Sequence, residues 1–144
     1  MLLGQQTGTV STKNQIAFPK NFRDYLGNKL VITKGLEGYL IVVSEKNWKT
    51  LLEGTEGKPF TNTDARLTQR YLLGNASLVT IDTRGRFVLA DHLKKHAHIK
   101  TDIIFAGIER FVEVWDKDMW EKHQEELTQK VTTVADRLGK EEIK

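Results

Sequence analysis

Residues 81–90 read I-D-T-R-G-R-F-V-L-A, and residues 10–19 read V-S-T-K-N-Q-I-A-F-P. The two stretches share one outline. An apolar residue enters a polar tight bend, and a strand-like apolar run leaves it. Asp82 stands where Ser11 stands, Gly85 where Asn14 stands and Arg86 where Gln15 stands. Crowding an acid and two arginines into one bend is costly unless the charge is used. This pair of turns therefore governs how the rest of the chain is read.

Working outward, the likeness continues on both sides. Leu2-Leu3-Gly4 recurs as Leu72-Leu73-Gly74 at an offset of 70 residues, and the turns themselves recur at 71. Gly35 then matches Gly107, Tyr39 matches Phe111 and Trp48 matches Trp120 at 72. The matches stay collinear, so the chain reads as two copies of one unit, about 1–53 and 72–125. A linker loop and helix over 54–71 joins them, and 126–144 forms a C-terminal helix and tail.

Each copy has the same expected layout. A strand (about 6–11, then 76–82) enters the turn and a second strand leaves it (15–19, then 86–90). Ile16 and Phe18 alternate, whereas Phe87-Val88-Leu89 reads as a buried run. A short helix follows. In the first copy it begins after Pro19 and stops at Gly27; in the second, Asp91 is placed to cap it. A hairpin comes next, over Lys29–Lys34 and Tyr39–Val43, then Asp102–Ala106 and Phe111–Trp115. Gly35–Gly38 and Gly107–Arg110 serve as the connections. Ser44 or Asp116 starts a closing helix that carries the tryptophan. Asn62 or Thr63 caps the linker helix, and Gly74 ends it. Trp120, Leu127, Val131, Val134 and Leu138 form one helical stripe, expected to pack on its own subunit or a neighbour. Residues 140–144 are expected to fray.

Composition narrows the class. The chain has 144 residues, enough for one ordinary core, and no cysteine. Disulfides, thiolate metal sites and cysteine nucleophiles are thereby excluded. No apolar run approaches the roughly 20 residues of a membrane span, and the start lacks the pattern of a secretion signal. A soluble intracellular protein is expected. Net charge is +3, but it is unevenly spread. Residues 1–110 carry sixteen Lys and Arg against ten Asp and Glu; residues 111–144 carry six against nine. The basic excess lies with the turns and suggests an acidic partner.

The chemistry of the turns sharpens that suggestion. Asp82 can accept backbone N–H groups within its bend, and Gly85 allows a positive φ. Arg84 and Arg86 would then project from a rigid support. The arginine fork matches phosphate oxygens, or the O6 and N7 edge of guanine. In the other copy Ser11 takes the scaffold position and Lys13 keeps a point charge. Asn14 tolerates left-handed backbone, and Gln15 can still bond a base, adenine being its usual match. One such turn alone would read as a solvated β-turn. Two at matched positions in a basic half favour DNA binding by Arg84, Arg86, Lys13, Gln15 and Asn14.

The D-x-x-G-R turn, the run Arg70-Tyr71-Leu72-Leu73-Gly74-Asn75-Ala76, and Glu113-Val114-Trp115-Asp116 with Trp120 together resemble the MraZ family. These are bacterial transcription regulators related to the AbrB class of swapped-hairpin DNA-binding domains. The resemblance extends to about residue 138. It implies an α+β fold in which two tandem βαβββ-type AbrB-like repeats pack as a pseudo-dimeric, barrel-like core with flanking helices. It also implies a homo-oligomeric ring, a cytoplasmic, nucleoid-associated location, and binding to short, regularly spaced G-rich direct repeats in double-stranded DNA. Such sites lie in the promoter of the cell-division and cell-wall gene cluster, where binding usually represses. Asp82, Gly85 and Arg86 match the family's second turn. In the first turn Lys13, Pro19 and Arg23 match, while Ser11, Asn14 and Gln15 replace the usual Asp, Gly and Arg.

Other classes fit less well. An enzyme would need a constellation, and only His92, His96 and His98 cluster. His92 and His96 have metal-ligand spacing, but nothing completes a site, so they read as a solvated basic helix face. No metal, cofactor, membrane or small-molecule substrate is expected. Trp48 and Trp120 read as core anchors rather than a stacking platform for single strands. An AbrB-class antitoxin that binds DNA and a toxin, or a structural ring without specific DNA binding, are the alternative functions. Antitoxins of that class typically carry one copy of the fold and a disordered tail.

Overall fold

The computed structural model describes the backbone of residues 1–143 and the side chains of residues 1–140. The first copy supplies β1 (Leu2–Thr9), β2 (Gln15–Ala17), α1 (Lys20–Leu26), β3 (Lys29–Lys34) and β4 (Leu40–Ser44). Two short 3₁₀ turns, kinked at Asn47, follow over Glu45–Leu52. After the linker comes α2 (Thr63–Gly74). The second copy supplies β5 (Ser77–Thr80), β6 (Arg86–Val88), α3 (Asp91–His96), β7 (Asp102–Glu109), β8 (Phe111–Asp116) and α4 (Lys117–Ile143).

Six strands form one antiparallel sheet in the order β1-β7-β8-β4-β3-β5. Exchange the copies and that order reads the same backwards. Each copy's first strand therefore leaves its own copy and pairs with the other's third. Leu2 faces Glu109 and Thr9 faces Asp102; in the mirror position Lys29 faces Thr80 and Ile32 faces Ser77. The second strands pair with each other, as a ribbon of three residues per strand, and Ile16 also bridges Val10. This is an α+β fold of interleaved tandem repeats, in keeping with the swapped-hairpin architecture.

The ribbon sits over the sheet because of what its alternate residues bury. Ile16, Phe18, Phe87 and Leu89 all point into one core with Phe22, Leu93, Leu30 and Phe105. Phe18 meets Phe105 edge-on at 5.2 Å between ring centroids. Burying each such side chain is worth about 1.5–3 kcal/mol, and the equivalent pairs Ile16 and Phe87, Phe18 and Leu89, and Phe22 and Leu93 come from opposite copies. Val88 corrects the expected buried run: it is exposed, because a ribbon has one face on the core and one in water.

Several local expectations shift. Gly27 ends α1 with φ 84°, and Asn62 caps α2 by accepting a 2.9 Å bond from the Ala65 N–H. Gly74 instead lies inside the last turn of α2, and Asn75 ends it by bonding the Tyr71 carbonyl. Asp91 is the first residue of α3 rather than its cap, and pairs with Lys95 four residues on. Ser44 precedes the 3₁₀ turns without a capping bond, whereas Asp116 receives the Met119 N–H. Gly107 belongs to β7, not to a loop, and the hairpin turns at Glu109-Arg110 with Glu109 at φ 60°. A side chain on Gly107 would collide with the Leu3 backbone nitrogen at 2.6 Å. The glycine lets β1 lie close.

The tryptophans and the tail differ more. Trp48 and Trp120 are only half-buried, and Trp115 is the buried one. It stacks on Tyr39 at 5.1 Å and donates to Glu113. Trp120 lies edge-on to Trp115 and donates to Gln5. The first copy closes with 3₁₀ turns instead of a helix, and none of their residues is fully buried. On α4, Leu127, Val131, Val134 and Leu138 are all exposed. Beyond Trp120, the stripe therefore does not pack on the rest of this chain. The helical backbone runs to Ile143; Lys144 and the side chains of residues 141–143, in the stretch expected to fray, lie outside the described residues.

Candidate nucleic-acid interface

The two turns have one backbone. The Asp82 N–H bonds the Arg86 carbonyl at 3.0 Å and the Gly85 N–H bonds the Asp82 carbonyl at 2.9 Å. Ser11 with Gln15, and Asn14 with Ser11, repeat those bonds at 3.0 and 2.9 Å. Gly85 has φ 79° and Asn14 φ 60°, so both occupy the left-handed region that the bend requires. Asparagine there avoids the cost a bulkier residue would meet.

The scaffold side chains act alike. Asp82 Oδ1 accepts from the N–H groups of Arg84 at 2.8 Å and Arg86 at 2.9 Å. Ser11 Oγ accepts from those of Lys13 at 3.2 Å and Gln15 at 3.0 Å. Serine thus keeps the bond pattern but not the charge. Those backbone bonds, that of Arg86 foremost, hold the Asp82 carboxyl below the usual carboxylate range. Its second oxygen takes Arg86 Nε at 3.3 Å, which tethers the guanidinium of a side chain that is 39% exposed. Arg84 and Lys13 are exposed.

Because β2 and β6 are antiparallel, the turns lie at opposite ends of the ribbon. Three residues at about 3.4 Å each separate them by roughly 10 Å. Each turn is also stitched to the other copy. Phe18 N–H bonds the Gly85 carbonyl and Leu89 N–H bonds the Asn14 carbonyl, both at 2.7 Å. One rigid unit carries both.

The family model described as "MraZ protein, putative antitoxin-like" matches the chain twice, over residues 1–71 and 72–141. The chain belongs to the MraZ family. A protein named transcriptional regulator MraZ from Caldanaerobacter subterraneus subsp. tengcongensis is 37% identical over 138 residues, spanning 96% of each chain. One of the same name from Thermoanaerobacter sp. (strain X514) is 36% identical over an equal span. A third, from Clostridium tetani, is 34% identical over 125 residues, 87% of this chain and 88% of its own.

On this MraZ chain the structure gathers Asp82, Arg84, Gly85 and Arg86 at one ribbon end and Ser11, Lys13, Asn14 and Gln15 at the other. Two neighbours join the turns: Arg23, which the resemblance matched to the first turn but which lies at the second, and Lys94, which the sequence reading left out. The Arg23 guanidinium, from α1 of the first copy, lies against Gly85 in the space a side chain would fill. Its Nε is buried without a hydrogen-bond partner, an arrangement that costs about 1–3 kcal/mol. Lys94 Nζ, from α3 of the second copy, donates to Asn14 Oδ1 at 2.8 Å. The sequence signal for Lys94 was the offset of 71, which makes it the equivalent of Arg23.

The histidines separate. His92 Nε2 lies 3.0 Å from the Asn75 carbonyl oxygen and His96 Nε2 lies 3.1 Å from that of Glu37, which ties α3 to two loops. Among the described residues no group of three or more His, Cys, Asp or Glu could hold a metal ion. No helix among them is long and apolar enough to cross a membrane.

Proposed function

We propose that the chain is a sequence-specific regulator that binds double-stranded DNA through its two turns, as one subunit of a homo-oligomeric ring. The ring engages short G-rich direct repeats and represses the promoter of the cell-division and cell-wall genes. It works in the cytoplasm on the nucleoid and needs no cofactor. The carrying observation is the second turn: a bend fixed by two bonds to Asp82 Oδ1 presents a partly exposed Arg86 tethered through its Nε to Asp82. Preorganised donors of this kind suit guanine edges and phosphates. The relatives named transcriptional regulators support the same reading.

In this mechanism Arg86 and Arg84 supply charge and specificity, and Lys13 supplies a phosphate contact. Gln15 and Asn14 offer neutral hydrogen bonds. The first repeat therefore contributes a weaker contact, and linked sites on one ring compensate through effective concentration. The antitoxin alternative fits less well, since the tail is one helix from Lys117 to Ile143.

Titrating the protein against duplex with G-rich direct repeats, at several salt concentrations, tests the proposal. Binding should exceed that to a scrambled duplex and weaken steeply with salt. Equal affinity for both duplexes would favour a ring without specific recognition.

A further inference from the structure

The turns are not self-contained. Gly85 belongs to the second copy, yet the guanidinium beside it belongs to Arg23 of the first. A Cβ at position 85 would lie 2.5 Å from Arg23 Cζ and 2.6 Å from its Nε. Asn14 belongs to the first copy, yet its side-chain oxygen holds Lys94 of the second. Arg23 and Lys94 occupy equivalent places on α1 and α3, each the residue after the one, Phe22 or Leu93, that enters the core. The arrangement is crossed and reciprocal.

The partners also match in size. Arginine's flat fork lies over a residue with no side chain. Asparagine fills that space, and there the cation is a slimmer lysine that bonds the filling group. Gly85 with Arg23 and Asn14 with Lys94 are thus two solutions to one packing problem. Each leaves a permanent cation beside its turn, and Arg23 keeps a buried donor with no protein partner. An anion arriving at the second turn would meet that guanidinium as well as Arg84 and Arg86.

We propose that each turn's DNA contact is completed by a cation from the opposite copy, Arg23 at the second turn and Lys94 at the first. The first turn then retains two cations, Lys13 and Lys94, despite losing its arginine. Residue pairs 23/85 and 94/14 behave as matched sets. This rests on the reading that the turns face DNA, so Arg86→Ala serves as the reference variant.

Affinity for the repeat-bearing duplex and its salt dependence are measured for Arg23→Gln, Lys94→Gln and Arg86→Ala, with thermal melts as a folding control. Arg23→Gln should bind about tenfold more weakly, with the log–log salt slope shallower by roughly 0.9, the value of one phosphate contact. Lys94→Gln should show the same change in slope. A purely structural support would leave the slope unmoved. Gly85→Asn should also weaken binding by displacing Arg23, and adding Arg23→Lys should recover much of the loss by recreating the first turn's pair. If Arg86→Ala weakens binding while Arg23→Gln and Lys94→Gln keep the parent affinity and slope, the crossed contacts are refuted and the turn reading stands. Failure of Arg23→Lys to rescue Gly85→Asn refutes the matched sets. If Arg86→Ala binds like the parent, both fall.

Discussion

Replacing Arg86 by alanine tests the second turn most directly. The guanidinium is already held, with Nε on Asp82 Oδ2 at 3.3 Å, so little side-chain freedom is lost when its outer nitrogens meet a base or phosphate. A bidentate contact of this kind is worth about 1–3 kcal/mol, or roughly 5- to 150-fold in affinity at about 1.4 kcal/mol per decade. The upper half of that range is expected here, for two reasons. The fork is preorganised, and its removal strips the ionised Asp82 of its partner beside the incoming phosphates. Folding should be spared, since the Arg86 side chain is 39% exposed and Asp82 keeps both backbone bonds. Fluorescence anisotropy with labelled repeat duplex would show about 30- to 150-fold weaker binding per engaged subunit, with an unchanged melting temperature. Arg86→Lys would keep the charge and lose the fork, so it should restore the salt slope but not discrimination against scrambled duplex. Affinity for Arg86→Ala within twofold of the parent would falsify the assignment.

Three further outcomes are expected. Gln15→Arg should raise DNA affinity, and Ser11→Asp with Gln15→Arg should raise it further by recreating the carboxylate tether of the second turn; no gain in either would place the first turn away from DNA. Gly107→Ala should destabilise the fold by about 1–3 kcal/mol, because its Cβ meets β1 backbone rather than a movable side chain; a denaturant melt that matches the parent would show that β1 can yield. Burial, with Glu113 next in effect, pushes the Tyr39 phenol up to about 12. A group raised in the folded state stabilises the fold below its unfolded pKa of about 10 and loses that contribution as pH climbs toward 12; absorbance titration should find a late phenol step that Tyr39→Phe removes.

Local chemistry was legible where one residue decides one conformation. Asn14 in the place of a glycine announced left-handed backbone, Asp82 announced its N–H bonds, and the alternation of Ile16 and Phe18 announced the inner ribbon face in the first copy, though the run Phe87-Val88-Leu89 hid it in the second. Pairing across the copies was not legible, since β1 and β5 carry no mark of which strand they join. Gly107 misled because a glycine near a hairpin suggests a turn, and only the closeness of β1 explains it. The α4 stripe misled because helical periodicity specifies a face without specifying what covers it. The crossed placement of Arg23 and Lys94 stayed hidden for a related reason: Arg23 sits 62 residues from Gly85 and Lys94 sits 80 from Asn14.

The pairing of Leu2–Thr9 with Asp102–Glu109 has a consequence for biosynthesis. The first strand leaves the ribosome about a hundred residues before its only sheet neighbour. At ~5–20 residues per second it waits roughly 5–20 s with its backbone donors and acceptors unpaired. Long-range pairing of this sort is slow and exposes strand edges to neighbouring chains. The nascent first half is thus the stage at which this protein most needs protection from aggregation, and arrival of β7 closes that interval.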